Sequence, residues 1–191
     1  MNKAELSGVC RQMRRDIINM TANAGSGHPG GSLSAVELMA SVFYNHMRID
    51  PKQPRMENRD RFVLSKGHAA PCYYAVLAEL GFISRDEFKN FRQLHSILQG
   101  HPDCKKVPGV DASTGSLGQG CSIAVGMALG AKLQGKDGWG FAQSAELGKR
   151  AAKLAAPDAS IRVDYTLGVA FAEAGVAQRA YVLDVPAGAL D

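Results

Sequence analysis

One stretch decides the fold of this chain: Gly100-His-Pro-Asp-Cys-Lys-Lys-Val-Pro-Gly-Val-Asp-Ala-Ser-Thr-Gly-Ser-Leu-Gly-Gln-Gly120. It holds five glycines, two prolines and one histidine, and glycine lets the backbone approach a ligand closely. The apolar run at 121–133 follows at once and predicts a buried helix. A glycine-rich loop that leads into a helix can bind an anion, because its free N–H groups and the helix dipole point the same way. A tight loop without a ligand is the alternative.

The segments upstream of this loop show helical and strand periodicity. Apolar positions within residues 6–20 recur at helical spacing and predict an amphipathic helix. A second helix is predicted to start at Ser34, because Ser34 and Glu37 match a capping box. The short apolar run at 61–65 predicts a buried strand, and residues 72–80 predict the helix that follows it.

Two further loops place a histidine beside glycine. They read Gly25-Ser-Gly-His-Pro-Gly-Gly31 and Ser65-Lys-Gly-His68. His68 therefore lies between a predicted strand and a predicted helix. In parallel α/β sheets, ligands bind outside the carboxyl ends of the strands, so we expect His68 at a ligand site.

Composition and charge exclude several classes of function. The length of 191 residues suits one domain with its own core. The formal net charge of +4 is mild and the basic residues are dispersed, so we expect no nucleic-acid partner. No apolar run is long enough to cross a bilayer, and the N-terminal residues do not resemble a signal peptide. The cysteines form no C-x-x-C pair and show no zinc spacing, so a cytoplasmic protein without a membrane partner is expected.

Taken together, the three histidine loops resemble the N-terminal, diphosphate-binding part of transketolases in their residues, order and spacing. The similarity is strongest to the form in which that part is a separate chain, and it covers residues 1–137. It implies the thiamine diphosphate-binding fold, which is α/β with a mainly parallel sheet flanked by helices. We expect that sheet to be incomplete here.

The resemblance also implies an activity. Transketolases are transferases of the pentose phosphate pathway that use thiamine diphosphate and magnesium to move a two-carbon ketol unit between sugar phosphates. By similarity, His28 and His101 would be catalytic and face the hydroxyls and carbonyl of the substrate. Four residues would contact the cofactor: His68, Gly115, Ser116 and Leu117. Each histidine taken alone could instead be an ordinary loop residue.

The family's metal motif is missing from this sequence. Members carry Gly-Asp-Gly-Glu after the next strand and an asparagine further on, which supply oxygen ligands to the metal. This chain reads Asp137-Gly-Trp-Gly-Phe-Ala-Gln-Ser-Ala-Glu146 instead. Other carboxylates follow, but none lies in the expected setting: Asp158, Asp164, Glu173 and Asp184. We therefore assign no metal ligand, although magnesium is expected for the family.

Residues 138–191 form a divergent, alanine-rich tail of uncertain origin. A truncated variant, a rearranged gene and a reading-frame error are all open explanations. Within the tail, residues 143–156 and 166–177 predict helices and residues 180–185 predict a short strand.

The resemblance implies a partner as well. The glutamate that activates the cofactor belongs, in this family, to the pyrimidine-binding domain, which lies further along the chain or on a C-terminal subunit. We therefore expect this chain to act only in a homo- or hetero-oligomer with such a partner and to be inactive alone. The alternative is an inactive fragment that serves at most as a binding or dimerisation module. A related enzyme that makes deoxyxylulose phosphate fits these loops less well.

Overall fold

The fold is described by a computed structural model that covers residues 1–135, 139–143 and 169–173. Within these residues, five α-helices and three strands are joined by shorter helical turns. In chain order these are α1 (Lys3–Ala24), α2 (Pro29–Leu33), α3 (Val36–Ser41), a π-helical turn (Val42–His46), β1 (Arg61–Leu64), a 3-10 turn (Gly67–Ala69), α4 (Ala70–Glu79), a 3-10 helix (Arg85–Asn90), α5 (Gln119–Leu133), β2 (Trp139–Gln143) and β3 (Val169–Glu173).

Helix α1 is defined at both ends by its own sequence. The Asn2 side chain accepts a hydrogen bond from the Glu5 backbone N–H at 3.0 Å, and the Glu5 carboxylate accepts one from the Asn2 N–H at 2.8 Å. This reciprocal pair is a capping box. Gly25, with φ of 59°, ends the helix in the left-handed conformation. The buried face includes four residues of the predicted stripe, Cys10, Met13, Ile17 and Met20, together with Asp16 and Thr21. The prediction of an amphipathic helix is confirmed.

The predicted capping box at Ser34 is wrong. A short helix, α2, already runs over Pro29–Leu33, and α3 starts at Val36 with Ala35 before it. The Ser34 hydroxyl accepts a hydrogen bond from Lys66 Nζ at 3.1 Å and donates to the Gly31 carbonyl at 3.0 Å. Glu37 forms an ion pair with Arg14. The side chains of Ser34 and Glu37, which the local pattern assigned to a helix cap, thus interact with residues distant in sequence instead.

Strand β1 lies at the centre of the packing. Successive strand residues point to opposite faces of a sheet. Phe62 and Leu64 belong to the main hydrophobic core with α1, α3 and α4, whereas Val63 belongs to a second cluster with Cys121 and Ala124 of α5. Both faces of β1 are therefore covered by helices, which explains why its sequence is a continuous apolar run.

The sheet is mixed within the described residues. Strand β1 pairs in parallel with β2, which places Leu64 opposite Gln143, and β2 pairs antiparallel with β3, which places Gln143 opposite Val169. The strand order is β1-β2-β3. Helices and strands are both present, as an α/β fold requires, but the predicted mainly parallel sheet is not confirmed.

The prediction of a helix over residues 166–177 is wrong at residues 169–173, which form strand β3. The segment carries the strand-forming residues Val169 and Phe171, and its pairing with β2 overrides the helix preference of the alanines between them. Gln143 is the last residue of β2, and the rest of the predicted helix at 143–156 lies outside the described residues. The predicted strand at 180–185 also lies outside them.

Helix α5 is only half buried, so the prediction of a buried helix is wrong for one of its faces. Cys121, Ala124 and Ala128 are buried on the side that packs on β1 and β2. Four other apolar side chains are exposed, with Leu133 reaching 89% exposure: Ile123, Val125, Leu129 and Leu133. The described residues pack against only one face of this helix. The hydropathy of the sequence could not show which face would be covered.

A buried carboxylate attaches the long glycine loop to β1. The Asp111 side chain is 2% exposed and bonds both guanidinium nitrogens of Arg59, at 2.6 and 3.1 Å. It also accepts bonds from Arg61 at 3.1 Å and from the Phe62 N–H at 2.9 Å. Three residues further on, the Thr114 hydroxyl donates to the Leu64 carbonyl at 2.6 Å. The loop is thus hydrogen-bonded along the length of β1.

Two glycines allow the backbones to approach each other at the end of β1. A Cβ at Gly67 would lie 2.7 Å from the Thr114 carbonyl oxygen, and one at Gly120 would lie 2.5 Å from Ser65 Cα. Both distances are shorter than any van der Waals contact with a backbone atom. Glycine is therefore required at both positions.

We expect Asp111→Asn to lower the free energy of unfolding by about 3 kcal/mol, because it leaves the charge of a buried arginine without its counterion. Urea denaturation measures this change. Asp86→Asn, on an exposed residue, is the control and should have little effect. Equal unfolding midpoints for the two variants would show that the ion pair does not stabilise the fold.

We expect Gly120→Ala to destabilise the protein by about 1–3 kcal/mol, since the new methyl group overlaps the backbone of Ser65. Gly126→Ala is the matched control in the same helix, where a Cβ has no atom within 4 Å. Because alanine favours a helix, the control should stabilise by up to about 1 kcal/mol. Thermal unfolding of both variants measures the difference, and a result of the same sign for both would refute the contact.

Candidate functional site: three histidine loops at one end of strand β1

The three histidines come from separate loops and lie around the carboxyl end of β1. His68 belongs to the 3-10 turn that follows β1, and His28 is the residue before α2. Their ring centroids are 5.0 Å apart with an interplanar angle of 66°. The strand–loop–helix junction therefore brings together two of the imidazoles that the sequence singled out.

The third histidine, His101, is held by the core through its backbone. The Tyr74 hydroxyl lies within hydrogen-bonding distance of the Gln99 and His101 carbonyls, at 2.8 and 3.2 Å. A Cβ on Gly115 would lie 3.7 Å from the His101 ring. His101 and Gly115 are therefore neighbours, and both are exposed. Buried α4 thus positions a loop that is itself open to solvent.

The His68 imidazole is kept neutral at ordinary pH. Burial lowers its pKa below the usual value of 6.5, and the charges of His28, Lys66 and His101 lower it further. A neutral imidazole has one N–H donor and one acceptor nitrogen.

Lys66 brings a cation beside the histidines. Partial burial lowers the pKa of its ammonium group, and the group donates to Ser34 Oγ at 3.1 Å. A Cβ at Gly31 would lie 3.3 Å from His68 Nε2 and 3.9 Å from Lys66 Cε. Gly31 therefore leaves a side-chain-free concavity against both polar groups.

The sequence alone does not reveal the roles of Gly31 and Ser34 in this site. The local pattern assigns Ser34 to a helix cap, and the glycine pair after His28 indicates only a loop. The glycines beside the loop histidine are the one local sign that another group could approach the backbone closely there. The partnership of Ser34 with Lys66 has no local signal, because the two residues lie in different elements.

Of the residues predicted to contact a cofactor, Gly115 is placed beside His101, and Ser116 and Leu117 follow it as exposed residues. The Ser116 carbonyl accepts a hydrogen bond from the Gln119 N–H at 3.4 Å, where α5 begins. These residues therefore form the approach to a helix N-terminus next to the imidazoles.

The arrangement suits an anion with several oxygens. It offers one ammonium group, imidazole N–H groups, a helix start and glycines that leave space for the ligand. The Ser65 hydroxyl is buried and has no hydrogen-bond partner among the described residues. A diphosphate group matches this set of donors.

Among the described residues, no group of three or more histidine, cysteine or carboxylate side chains could hold a metal ion. The carboxylates of the tail lie outside the residues whose side chains are described. In the part of the chain that the structure covers, no helix is both long and apolar enough to cross a membrane.

A family model described as "Transketolase, thiamine diphosphate binding domain" matches residues 5–140. Human transketolase is 48% identical over 127 residues, which make up 66% of this chain and 20% of that protein. One of the chains of the apulose-4-phosphate transketolase of Phocaeicola vulgatus is 40% identical over 124 residues, 65% of this chain and 44% of that one.

The crystal structure of transketolase from Campylobacter jejuni is similar in fold, with a TM-score of 0.64 and 40% sequence identity, and the match covers 69% of this chain and 21% of that one. The chain spans less than half the length of each of these relatives. Since the family model matches most of the chain and the relatives agree with it in sequence and fold, the chain belongs to the transketolase family through its thiamine diphosphate-binding domain.

Proposed function

We propose that this chain is the N-terminal, diphosphate-binding subunit or fragment of a thiamine diphosphate-dependent transketolase. It transfers a two-carbon ketol unit between sugar phosphates together with a C-terminal chain that carries the pyrimidine-binding domain. The observation that carries the proposal is the meeting of His28 and His68, with ring centroids 5.0 Å apart, at the carboxyl end of β1.

Lys66 and His68 would hold the diphosphate. Lys66 supplies the positive charge, and its bond to Ser34 fixes the direction of the ammonium group. His68 donates its imidazole N–H to a diphosphate oxygen. Because both groups are partly desolvated, these charge-assisted bonds are stronger than they would be in water.

The substrate side of the site is formed by His28 and His101. Both are exposed, so a sugar phosphate can reach them. Imidazole donates and accepts protons near neutral pH, as the hydroxyls and carbonyl of a ketose require. The Tyr74 hydroxyl holds the backbone at His101, which fixes the point from which this ring extends.

The residues Gly115, Ser116 and Leu117 contact the cofactor next to His101. When bound, thiamine diphosphate supplies the electron sink that carbon–carbon cleavage beside a carbonyl needs. The protein positions and polarises the reacting groups. Leu117, which is half exposed, provides an apolar surface for a ring.

The extent of the match supports a partner chain. Relatives such as human transketolase continue far beyond the matched region. The apulose-4-phosphate relative is named as one subunit of its enzyme, which indicates a form assembled from separate chains. We place the boundary of the diphosphate-binding domain at Asp137, with the tail 138–191 outside it, and a cytoplasmic location remains a prediction.

One alternative is favoured by two observations. The Gly-Asp-Gly-Glu metal motif is absent from the sequence, and α5 carries an exposed apolar face. An inactive fragment that acts as a binding or dimerisation module would have these properties. Magnesium is the ion that separates the two functions, because a transketolase needs it to bind the diphosphate tightly.

The test mixes the chain with a C-terminal transketolase subunit, thiamine diphosphate, magnesium and a ketose phosphate donor with an aldose acceptor. We expect ketol transfer, and we expect His101→Ala to lower kcat/KM roughly 100-fold, the usual range for loss of an acid–base group. His46→Ala, on an exposed histidine outside the site, is the control. A calorimetric titration of thiamine diphosphate, with and without magnesium, then measures whether the metal strengthens binding of the cofactor. No transfer by folded chains, together with binding that magnesium does not strengthen, would favour the inactive module.

We expect the imidazole of His68 to titrate below pH 6.5 in an NMR pH series, because burial and the nearby positive charges disfavour its protonation. The unfolded chain then binds this proton more readily than the folded chain does. The contribution of His68 to the free energy of unfolding is therefore fully present above pH 6.5 and is lost as the pH drops below it. His68→Gln should remove that part of the pH dependence. Inorganic diphosphate should raise the pKa of His68, since a bound anion favours the imidazolium. A midpoint at or above 6.5 in the free protein would contradict the described surroundings.

A further inference from the structure

A small basic cavity lies between residues 104–110 of the glycine loop and the segment that carries Arg55 and Arg59. Its volume is about 140 Å³, and its wall includes Arg55, Arg59, Lys105 and Lys106 together with residues 107–110. No carboxylate belongs to the described residues that line it. Sites that enclose whole small molecules measure roughly 300–1,000 Å³, so this cavity suits a single ionic group.

The buried member of the set is Arg59, which is 4% exposed. Its two terminal nitrogens are engaged by Asp111, and one of them also donates to the Asp60 carbonyl at 3.1 Å. Its Nε is buried and has no hydrogen-bond partner among the described residues. A buried donor without a partner is unfavourable, and an oxygen-bearing ligand in the cavity would satisfy it.

The other three cations are exposed, and none of them forms an ion pair with a described residue. Asp111 is already shared between Arg59 and Arg61, so it neutralises only part of the local charge. Asp103 accepts the Lys105 backbone N–H at 2.9 Å and contacts Ser113. The excess charge at this cavity is positive.

We propose that this cavity binds the dianionic phosphate group of a small molecule, separately from the diphosphate site at His68. The Arg59 Nε–H donates to one phosphate oxygen from the buried side, and Lys105, Lys106 and Arg55 neutralise the charge from the solvent side. Phosphate fits because it is compact, doubly charged and bears oxygens in several directions. The site does not depend on the proposed transketolase activity.

Calorimetric titration of the full chain with inorganic phosphate, at constant ionic strength, tests the site. We expect saturable binding that weakens about tenfold or more in K105Q/K106Q, since two charge-assisted contacts are lost. The matched control K3Q/K89Q changes the net charge equally on exposed lysines outside the cavity and should bind like the parent chain. Lys66→Gln should also retain phosphate binding at this cavity.

Glycerol phosphate is titrated in parallel, and the tighter of the two ligands identifies free phosphate or a phosphate ester as the natural source. The proposal is overturned by any of three results. One is the absence of saturable binding by either ligand. Another is equal weakening in K105Q/K106Q and K3Q/K89Q, which would reflect overall charge. The third is loss of binding in Lys66→Gln with K105Q/K106Q unchanged, which would place the phosphate at the histidine site.

Discussion

The carboxylate of Asp111 is the constraint on which the arrangement of loops depends. It is buried with Arg59 and satisfies two guanidinium groups and a backbone N–H at the start of β1. Such a group is stable in the interior only while all of these bonds are made, because each unmade bond leaves a desolvated charge. The loop therefore has one register against β1, since any shift of Asp111 breaks the set.

The fixed position of Asp111 determines where the glycine loop lies at the carboxyl end of β1. Residues 111–114 run along the strand, and Thr114 bonds to its last residue. Gly115 is then delivered beside His101, while Gly67 and Gly120 let the two backbones touch. His68 follows from β1 itself. The site is therefore built from one strand and the loop bound to it, and His28 joins from the start of α2.

The sequence predicted the parts of the fold that local pattern controls. Helix α1, strand β1 and helix α4 follow from periodicity and caps, and the histidine loops follow from their glycines. Three features depended on distant partners and were not predictable: the capture of Ser34 by Lys66, the strand at Val169–Glu173 and the open face of α5. The ion pairs of Asp111 had no local signal either, because their partners lie about fifty residues away. The assignment of roles to single histidines rests on family resemblance.

The two faces of β1 differ in how firmly they are packed. One adjoins the large core that includes α1 and α4, and the other adjoins a small cluster formed with α5. Local opening of a protein follows the least costly boundary. Amide hydrogen exchange in α5 can therefore occur while α1 and α4 stay protected. Because the glycine loop enters α5 directly, opening of that helix would also loosen the last residues of the loop while the main core stays folded.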